Sequence, residues 1–514
     1  MTVDQYRRNT RRVAAAVSRA IIPAGVVGVW FAAVIFIHRH DFRICYLAVG
    51  DILRKSIELV DEGRFEYAGN AFFKDLTLGP LSHLTTAIPL LFRRDVQFLY
   101  YFYSLTYFLA SLLYYAACRR MDIDKSVSFV AAVIFSSLVL ENYSPLIADN
   151  SFQLPFYMAV YFYLLASAMQ GSPINIVLAW AAVGLCMQLN ISSGLLAPAT
   201  LVALKPRDAR QFAAHAAGIA VVLLMHFHLA YQLPAFLHQS GGLERQVDVS
   251  EATPPASAYW KMLRAWVMWP LNNPGGSFFW LFIIAILRQK RAVIPTAIKH
   301  GAWCCCAFAI LVFPILNYLK DNLALYYFNS SFVFWGALFA GSLHALLPRA
   351  GKQWTMQLAA LGIMLAAAGD VDARGAAPPH DTYFDMERLN DQIAIAERVS
   401  QVIYDNDLRD FEIYEHTCDY RWGSRFLRLE AETSMTFASL CRYLHPDLRL
   451  RLDVNAANFL VIFVTPRTAA SEADPADPAV QRRIVYDQFD AGLMTATVFL
   501  IPRAVFDRAP ACAW

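Results

Sequence analysis

The chain has 514 residues, 57% of them hydrophobic and 17% charged, with a mean hydropathy of +0.38 and a formal net charge of +3. Repeated apolar runs separated by basic clusters exclude an ordinary soluble domain and read as a polytopic membrane protein embedded in a lipid bilayer. So small a positive excess gives no reason to expect nucleic acid as a partner; what matters is where the Lys and Arg sit.

Arg7, Arg8, Arg11, Arg12 and Arg19 precede an apolar run from Ala20 to Ile37 that ends in His38-Arg39-His40. No small-residue cleavage site follows, so the run reads as a retained helix and not as a removed signal peptide. The excess of positive charge before it puts the N-terminus in the cytoplasm and the next loop, 38–96, outside.

That loop holds the most informative stretch. From Val49 the apolar residues Val49, Leu53, Ile57 and Val60 line one helix face, and Asp51, Arg54, Lys55, Glu58 and Asp61 line the other, which describes a helix lying at a membrane surface. Gly63 and Arg64 end it. Gly79-Pro80 then opens an apolar run to Phe92, thirteen residues long and too short for a bilayer that needs about twenty. It reads as interfacial or re-entrant.

Further spans are expected near 97–117, 127–140, 152–169, 174–189, 193–204, 212–233, 277–287, 301–319, 326–346 and 354–368. With the Pro80 run left out of the count, the basic clusters Arg119-Arg120-Lys125, Lys205-Arg207-Arg210, Arg288-Lys290-Arg291-Lys299 and Arg349-Lys352 all fall inside. The fold class is then an α-helical polytopic membrane protein of the plasma (inner) membrane. It has about eleven transmembrane helices, amphipathic juxtamembrane helices in the first exterior loop, and an exterior C-terminal part.

The exterior face gathers the first loop, the 141–151 loop with Asp149, the 238–273 loop with its aromatic YWKMLRAWVMW segment, and the Lys320-Asp321 turn. After residue 369 the pattern changes, so we divide the chain into a membrane region, 1–369, and a small periplasmic or extracellular α/β domain, 370–514. The latter shows an amphipathic helix near Asp385 to Tyr404, strand-like FEIY and NFLVIFVTP, and a hairpin from Arg483 to Pro502 turning at Asp490-Ala491-Gly492. Cys118, Cys186, Cys304, Cys305 and Cys306 read as packing residues; a Cys418–Cys441 disulfide is permitted outside, and spacing does not decide it. No CxxC pattern or His cluster points to zinc. No internal repeat relates the two halves of the membrane region, which weakens a transporter reading.

The stretches GDILRKSIELVDEGRF, GPLSHLTTAIPLLF, SPLIADNSFQLPF, MQLNISSGLLAPATLVALKPR and LKDNLALYYFNSSFVFWGAL, in this order and topology over about Ala20 to Leu346, resemble the GT-C superfamily of polytopic glycosyltransferases. That superfamily includes the protein O-mannosyltransferases and the aminoarabinose transferases. The resemblance implies a lipid-linked sugar donor and a catalytic acidic residue in the first exterior loop, a position that Asp51 takes here. Asp51 is followed by Ile52 where the family usually shows a second acidic residue, Gly79-Pro80 replaces a double proline, and Asn190 stands where a Lys is often seen.

The chemistry follows physical requirements. Transfer from a polyprenyl-phosphate sugar to an extracytoplasmic acceptor needs a carboxylate to orient or deprotonate a hydroxyl, which Asp51 supplies, and cations to stabilise the departing phosphate. Arg43, Lys74, Arg264 and Lys320 are the candidate cations, and Asp41 and Asp149 hold acceptor or sugar hydroxyls. Tyr326 and Tyr327, with the aromatics from Tyr259 to Trp269, line a sugar face or a lipid groove. No metal or other cofactor is required, and the scheme does not forbid a divalent metal.

Plainer readings stand beside these. Asp51 is equally an N-cap with Arg54 and Lys55 as surface partners, Asp149 a cap for the next helix, and Lys320-Asp321 an interfacial turn. His226 and His228, expected within a span together with Gln188 and Asn190, are functional suspects or packed neutral side chains. The alternative function is a transporter or flippase of a lipid-linked envelope precursor.

Overall fold

The computed structural model describes residues 25–30, 32–34, 36–37, 43–44, 46–67, 71–73, 76–93, 96–143, 147–148, 153–232, 293–319, 330–347, 352–376, 389–409, 411–417, 441, 444–445, 447–448, 458–466, 484–491 and 494–502.

Within the apolar run from Ala20 to Ile37, residues 25–30, 32–34 and 36–37 are helical. Segment 38–96 then contains β1 (Arg43–Ile44), α1 (Tyr46–Glu62), β2 (Ala71–Phe73), β3 (Leu76–Thr77) and α2 (Leu81–Leu90). Gly63, at φ +65°, closes α1 in the left-handed conformation that a glycine adopts without a Cβ clash. The short Pro-led run is therefore a ten-residue helix. It buries Ser82, His83, Thr85, Thr86, Ala87, Pro89 and Leu90 and exposes Leu84 and Ile88.

The main bundle follows: α3 (Val96–Arg120), α4 (Lys125–Tyr143), α5 (Leu154–Ala168) and α6 (Pro173–Leu189), with strand β4 (Ile147–Ala148) between α4 and α5. Pro at the start of α5 and of α6 sits where its missing N–H loses no helical bond. After α6 come a 3-10 turn (Ile191–Leu195), α7 (Leu196–Ala203), α8 (Ala209–Met225), α9 (Thr296–Leu319), α10 (Phe332–Leu346) and α11 (Lys352–Ala376). Asp208 caps α8 by accepting the Gln211 N–H at 2.8 Å. Helix α3 packs on α4 and α5, α5 on α6, α6 on α8, α4 on α10 and α11, and α7 on α9.

The core is aromatic where α3, α4, α5 and α10 meet. The Tyr114 ring stacks between Phe135 at 4.3 Å and Phe162 at 4.8 Å. Its hydroxyl donates to Val333 O at 2.7 Å and accepts the Ala337 N–H at 2.9 Å, inserting itself into the backbone ladder of α10. Gly336 makes this possible, since a Cβ there would stand 2.7 Å from the Tyr114 oxygen.

Among the described residues no helix is long and apolar enough to cross a membrane. Helices α5, α6, α8 and α10 have 15 to 17 residues. Helix α3 reaches 25 residues but includes Tyr100, Tyr101, Tyr103, Tyr107, Tyr114 and Tyr115. The 193–204 span becomes a 3-10 turn followed by an eight-residue helix. The 277–287 segment lies outside the described residues.

Towards the C-terminus α12 (Leu389–Asp405) precedes strands β5 (Phe411–Thr417), β6 (Asn458–Pro466), β7 (Ile484–Ala491) and β8 (Met494–Pro502). The helix, both strand-like segments and the hairpin read from the sequence are present. The strands form one sheet in the order β5-β6-β8-β7, with β5 parallel to β6 and the other pairs antiparallel. Helix α12 packs against β7, tied by Arg398 Nε to Asp487 Oδ2 at 2.5 Å. Cys441 is buried, with its Sγ 3.4 Å from Ala396 O; Cys418, the other half of the permitted disulfide, lies outside the described residues.

Candidate functional site

Three expectations about segment 38–96 and the side chains around it change. Helix α1 starts at Tyr46, so Asp51 is its sixth residue and cannot be its N-cap. The charged face of α1 is not solvated throughout, because Lys55 and Glu58 on it are buried, like Leu53 and Ile57 on the apolar face. His226, His228 and Gln188 do not lie alone in the middle of spans. His228 meets Thr77 O and the Tyr67 ring, Gln188 approaches Gly79, and His226 lies beside His228.

The buried charges are held by one another. Arg54 reaches Glu58 at 2.9 Å, one turn along the helix, and Glu66 at 3.6 Å; Lys55 Nζ reaches Glu66 Oε2 at 3.4 Å. Glu66 comes from the segment after Gly63, so the turn at Gly63 folds a carboxylate back over the basic side chains of α1. Charges removed from water persist only when paired in this way. Beneath them the Ser56 hydroxyl lies 2.6 Å from Ile52 O and 2.9 Å from His83 O, joining α1 to α2.

A second network joins α2, α3 and the start of α5. Gln153 Nε2 lies 3.2 Å from Ser82 O, 3.1 Å from Thr86 Oγ1 and 3.2 Å from the Tyr103 hydroxyl, and Thr86 and Tyr103 bond to each other. Thr85 meets the Tyr157 hydroxyl at 3.0 Å. Gln153 Oε1 has no partner among the described residues.

The third contact is with the far end of α8. Tyr67 donates to Met225 O at 2.9 Å, Thr77 N–H to Gln232 Oε1 at 3.0 Å, and His228 Nε2 meets Thr77 O at 3.0 Å. Burial raises the Tyr67 phenol above its ordinary pKa. Gln188 also reaches Met225 O, at 3.2 Å, and passes so close to Gly79 that a Cβ there would stand 2.5 Å from Gln188 Cδ. A larger residue at position 79 would have to move the Gln188 side chain.

Strand pairing brings two of the expected segments together. β1 and β4 run parallel, with Arg43 opposite Ile147 and Ile44 opposite Ala148. The chain next to Arg43 thereby runs beside the chain that leads directly into Asp149. Arg43 and Asp51 are described through their backbone, whereas Asp41, Lys74, Asp149, Arg264, Lys320, Tyr326 and Tyr327 lie outside the described residues. Among the described residues no group of three or more His, Cys, Asp or Glu is placed to hold a metal ion.

The sequence reading missed the burial of Lys55 and Glu58, the pairing partner Glu66, and Gln153. The i,i+4 spacing of Arg54 and Glu58 was a signal for the pair, but nothing local showed that a later segment would cover it.

No family model matches the chain, and no curated protein matches it. Among solved structures it is similar to the crystal structure of ArnT from Cupriavidus metallidurans in the apo state, at 13% identity and a TM-score of 0.54, over 96% of this chain and 99% of that one. The same ArnT bound to undecaprenyl phosphate aligns with a TM-score of 0.49 at 13% identity, over 94% of this chain and 98% of that one. Arabinosyltransferase EmbB from Mycobacterium smegmatis aligns with a TM-score of 0.36 at 11% identity, over 83% of this chain and 37% of EmbB. The last two likenesses are too weak to carry an argument. The first spans both chains almost end to end, and the chain has a GT-C-like fold.

Proposed function

We propose that this chain is an integral membrane glycosyltransferase that moves a sugar from a polyprenyl-phosphate-linked donor to an extracytoplasmic acceptor, such as an envelope lipid, a polysaccharide or a protein. The observation that carries this reading is the end-to-end likeness to ArnT, together with the charged first exterior loop folded into the body of the bundle. It sits in the plasma (inner) membrane with a cytoplasmic N-terminus, and residues 370–514 form the exterior α/β domain.

In the proposed reaction the acceptor hydroxyl oxygen attacks the anomeric carbon and the bond from that carbon to the phosphate oxygen breaks. Polyprenyl phosphate leaves, and Asp51 orients the hydroxyl and takes its proton. Arg43, Lys74, Arg264 and Lys320 balance the charge that grows on the phosphate, Asp41 and Asp149 hold hydroxyls, and Tyr326 and Tyr327 line the sugar. The paired side chains of Arg54, Lys55, Glu58 and Glu66 stiffen the helix on which Asp51 lies.

The test is mass spectrometry of envelope lipids and glycans from cells with the wild-type protein, without it, or with Asp51→Asn at matched abundance. Loss of one glycan modification in both the null and Asp51→Asn supports the transferase with Asp51 in its chemistry. Wild-type glycans in Asp51→Asn remove Asp51 from the mechanism. A lipid-linked precursor accumulating on the inner face of the null membrane identifies a flippase instead.

A further inference from the structure

Two imidazoles beside the first exterior loop each keep a spare nitrogen. His226 Nδ1 lies 2.9 Å from Val222 O and His228 Nε2 lies 3.0 Å from Thr77 O. A carbonyl only accepts, so each of these nitrogens carries the hydrogen, and in a neutral ring the other nitrogen is then a bare lone pair. His226 Nε2 and His228 Nδ1 have no hydrogen-bond partner among the described residues, on side chains only 8% exposed. The rings are nearly parallel, inclined by 29° with centroids 6.1 Å apart.

A third buried histidine shows what full satisfaction looks like. His215 accepts from Trp180 Nε1 at 2.9 Å and meets Leu204 O at 2.8 Å, using both nitrogens within the protein. The other two differ because the helix breaks there: α8 stops at Met225, His226 leaves helical geometry at φ −120° and ψ 20°, and helical turns resume at 227–232. Tyr67 packs on His228 at 5.3 Å and on Phe227 at 5.1 Å, but its hydroxyl is already given to Met225 O and cannot fill either lone pair.

We propose that His226 and His228 form a subsite for the hydroxyls of a sugar, each ring accepting one hydrogen bond and the Tyr67 and Phe227 rings offering an apolar face to the sugar carbons. This rests on the glycosyltransferase reading. A neutral lone pair selects a ligand with a hydrogen to give: a sugar hydroxyl qualifies, and an ionised phosphate does not. The subsite therefore holds a sugar, of the acceptor or of the donor, and not the phosphate of the carrier.

The experiment uses membranes from cells lacking the endogenous protein and carrying wild type, His226→Phe, His228→Phe, His226→Gln or His228→Asn. Envelope glycan extracted from the null cells serves as acceptor and their polyprenyl-phosphate sugar fraction as donor, each titrated while product is followed by mass spectrometry. Phenylalanine keeps the ring and removes the lone pair; Gln at 226 and Asn at 228 return an amide oxygen near the lost Nε2 and Nδ1. Each Phe variant is expected to raise one KM about tenfold with kcat little changed, and the amide variants to recover most of it. A change in acceptor KM assigns the subsite to the acceptor sugar, and a change in donor KM to the donor sugar. Unchanged KM values in the Phe variants, or amide variants as impaired as Phe, overturn the subsite and leave the transferase standing. Wild-type membranes that form no more product than null membranes overturn the transferase reading and the subsite with it.

Discussion

The Tyr67 hydroxyl donates to the Met225 carbonyl oxygen at 2.9 Å, joining residues 158 positions apart. This bond ties the segment after α1 to the end of α8, and the ring that makes it also packs on Phe227 and His228. Tyr67→Phe keeps the ring and removes only the bond, a net loss of about 1 kcal/mol. The expected result is faster proteolysis within 63–77 at unchanged abundance, measured by mapping cleavage sites in intact membranes. Equal cleavage in both proteins would mean that the bond does not restrain the loop.

Lys55 and Glu58 are buried charges on a helix face that reads as solvated. Replacing one member of such a network leaves the rest poorly compensated, at a cost of about 3–5 kcal/mol. Glu58→Ala is expected to reduce sharply the folded fraction recovered in detergent, read by fluorescence-detected size exclusion. Arg64→Ala, on an exposed side chain just past the same helix, is the control and should behave as wild type.

Gly79 and Gln188 approach so closely that they should not tolerate change independently. Gly79→Ala pushes the Gln188 side chain away from Met225 O, and overpacking of this kind costs about 1–3 kcal/mol. Gln188→Ala removes the clash, so the double variant should be more thermostable than Gly79→Ala alone. Additive losses in that comparison would show that the two sites do not interact.

Helix α11 exposes Trp354, Leu358, Leu361 and Leu365, spaced four, three and four apart along one stripe, and the last turn of α8 exposes Leu223 and Leu224. If the chain is a membrane protein, these side chains face lipid. A carbene-generating probe dissolved in the bilayer should label these positions above the buried Ala360 and Met364, with peptide mapping as the readout. Labelling no heavier than on the buried positions would argue against lipid contact there.

Local pattern made part of this structure legible. Gly63 ending α1, the short Pro-led helix after Gly79, the amphipathic α12 and the hairpin turning near Asp490 each depend on a few neighbouring residues, and periodicity and turn chemistry report those directly. The order of degenerate motifs over the membrane region also carried the GT-C resemblance, because it reflects connectivity and not single side chains. Tertiary structure alone decided which surfaces meet. The i,i+4 pattern of α1 is the same whether its charged face meets water or Glu66 folded back from beyond Gly63. The parallel pairing of Arg43–Ile44 with Ile147–Ala148 joins segments about a hundred residues apart, and no local spacing encodes that register. His226 and His228 looked like isolated polar residues within an apolar run until the end of α8 met Tyr67 and Thr77. Burial and long-range pairing depend on every element that packs around a residue, and those neighbours come from distant parts of the chain.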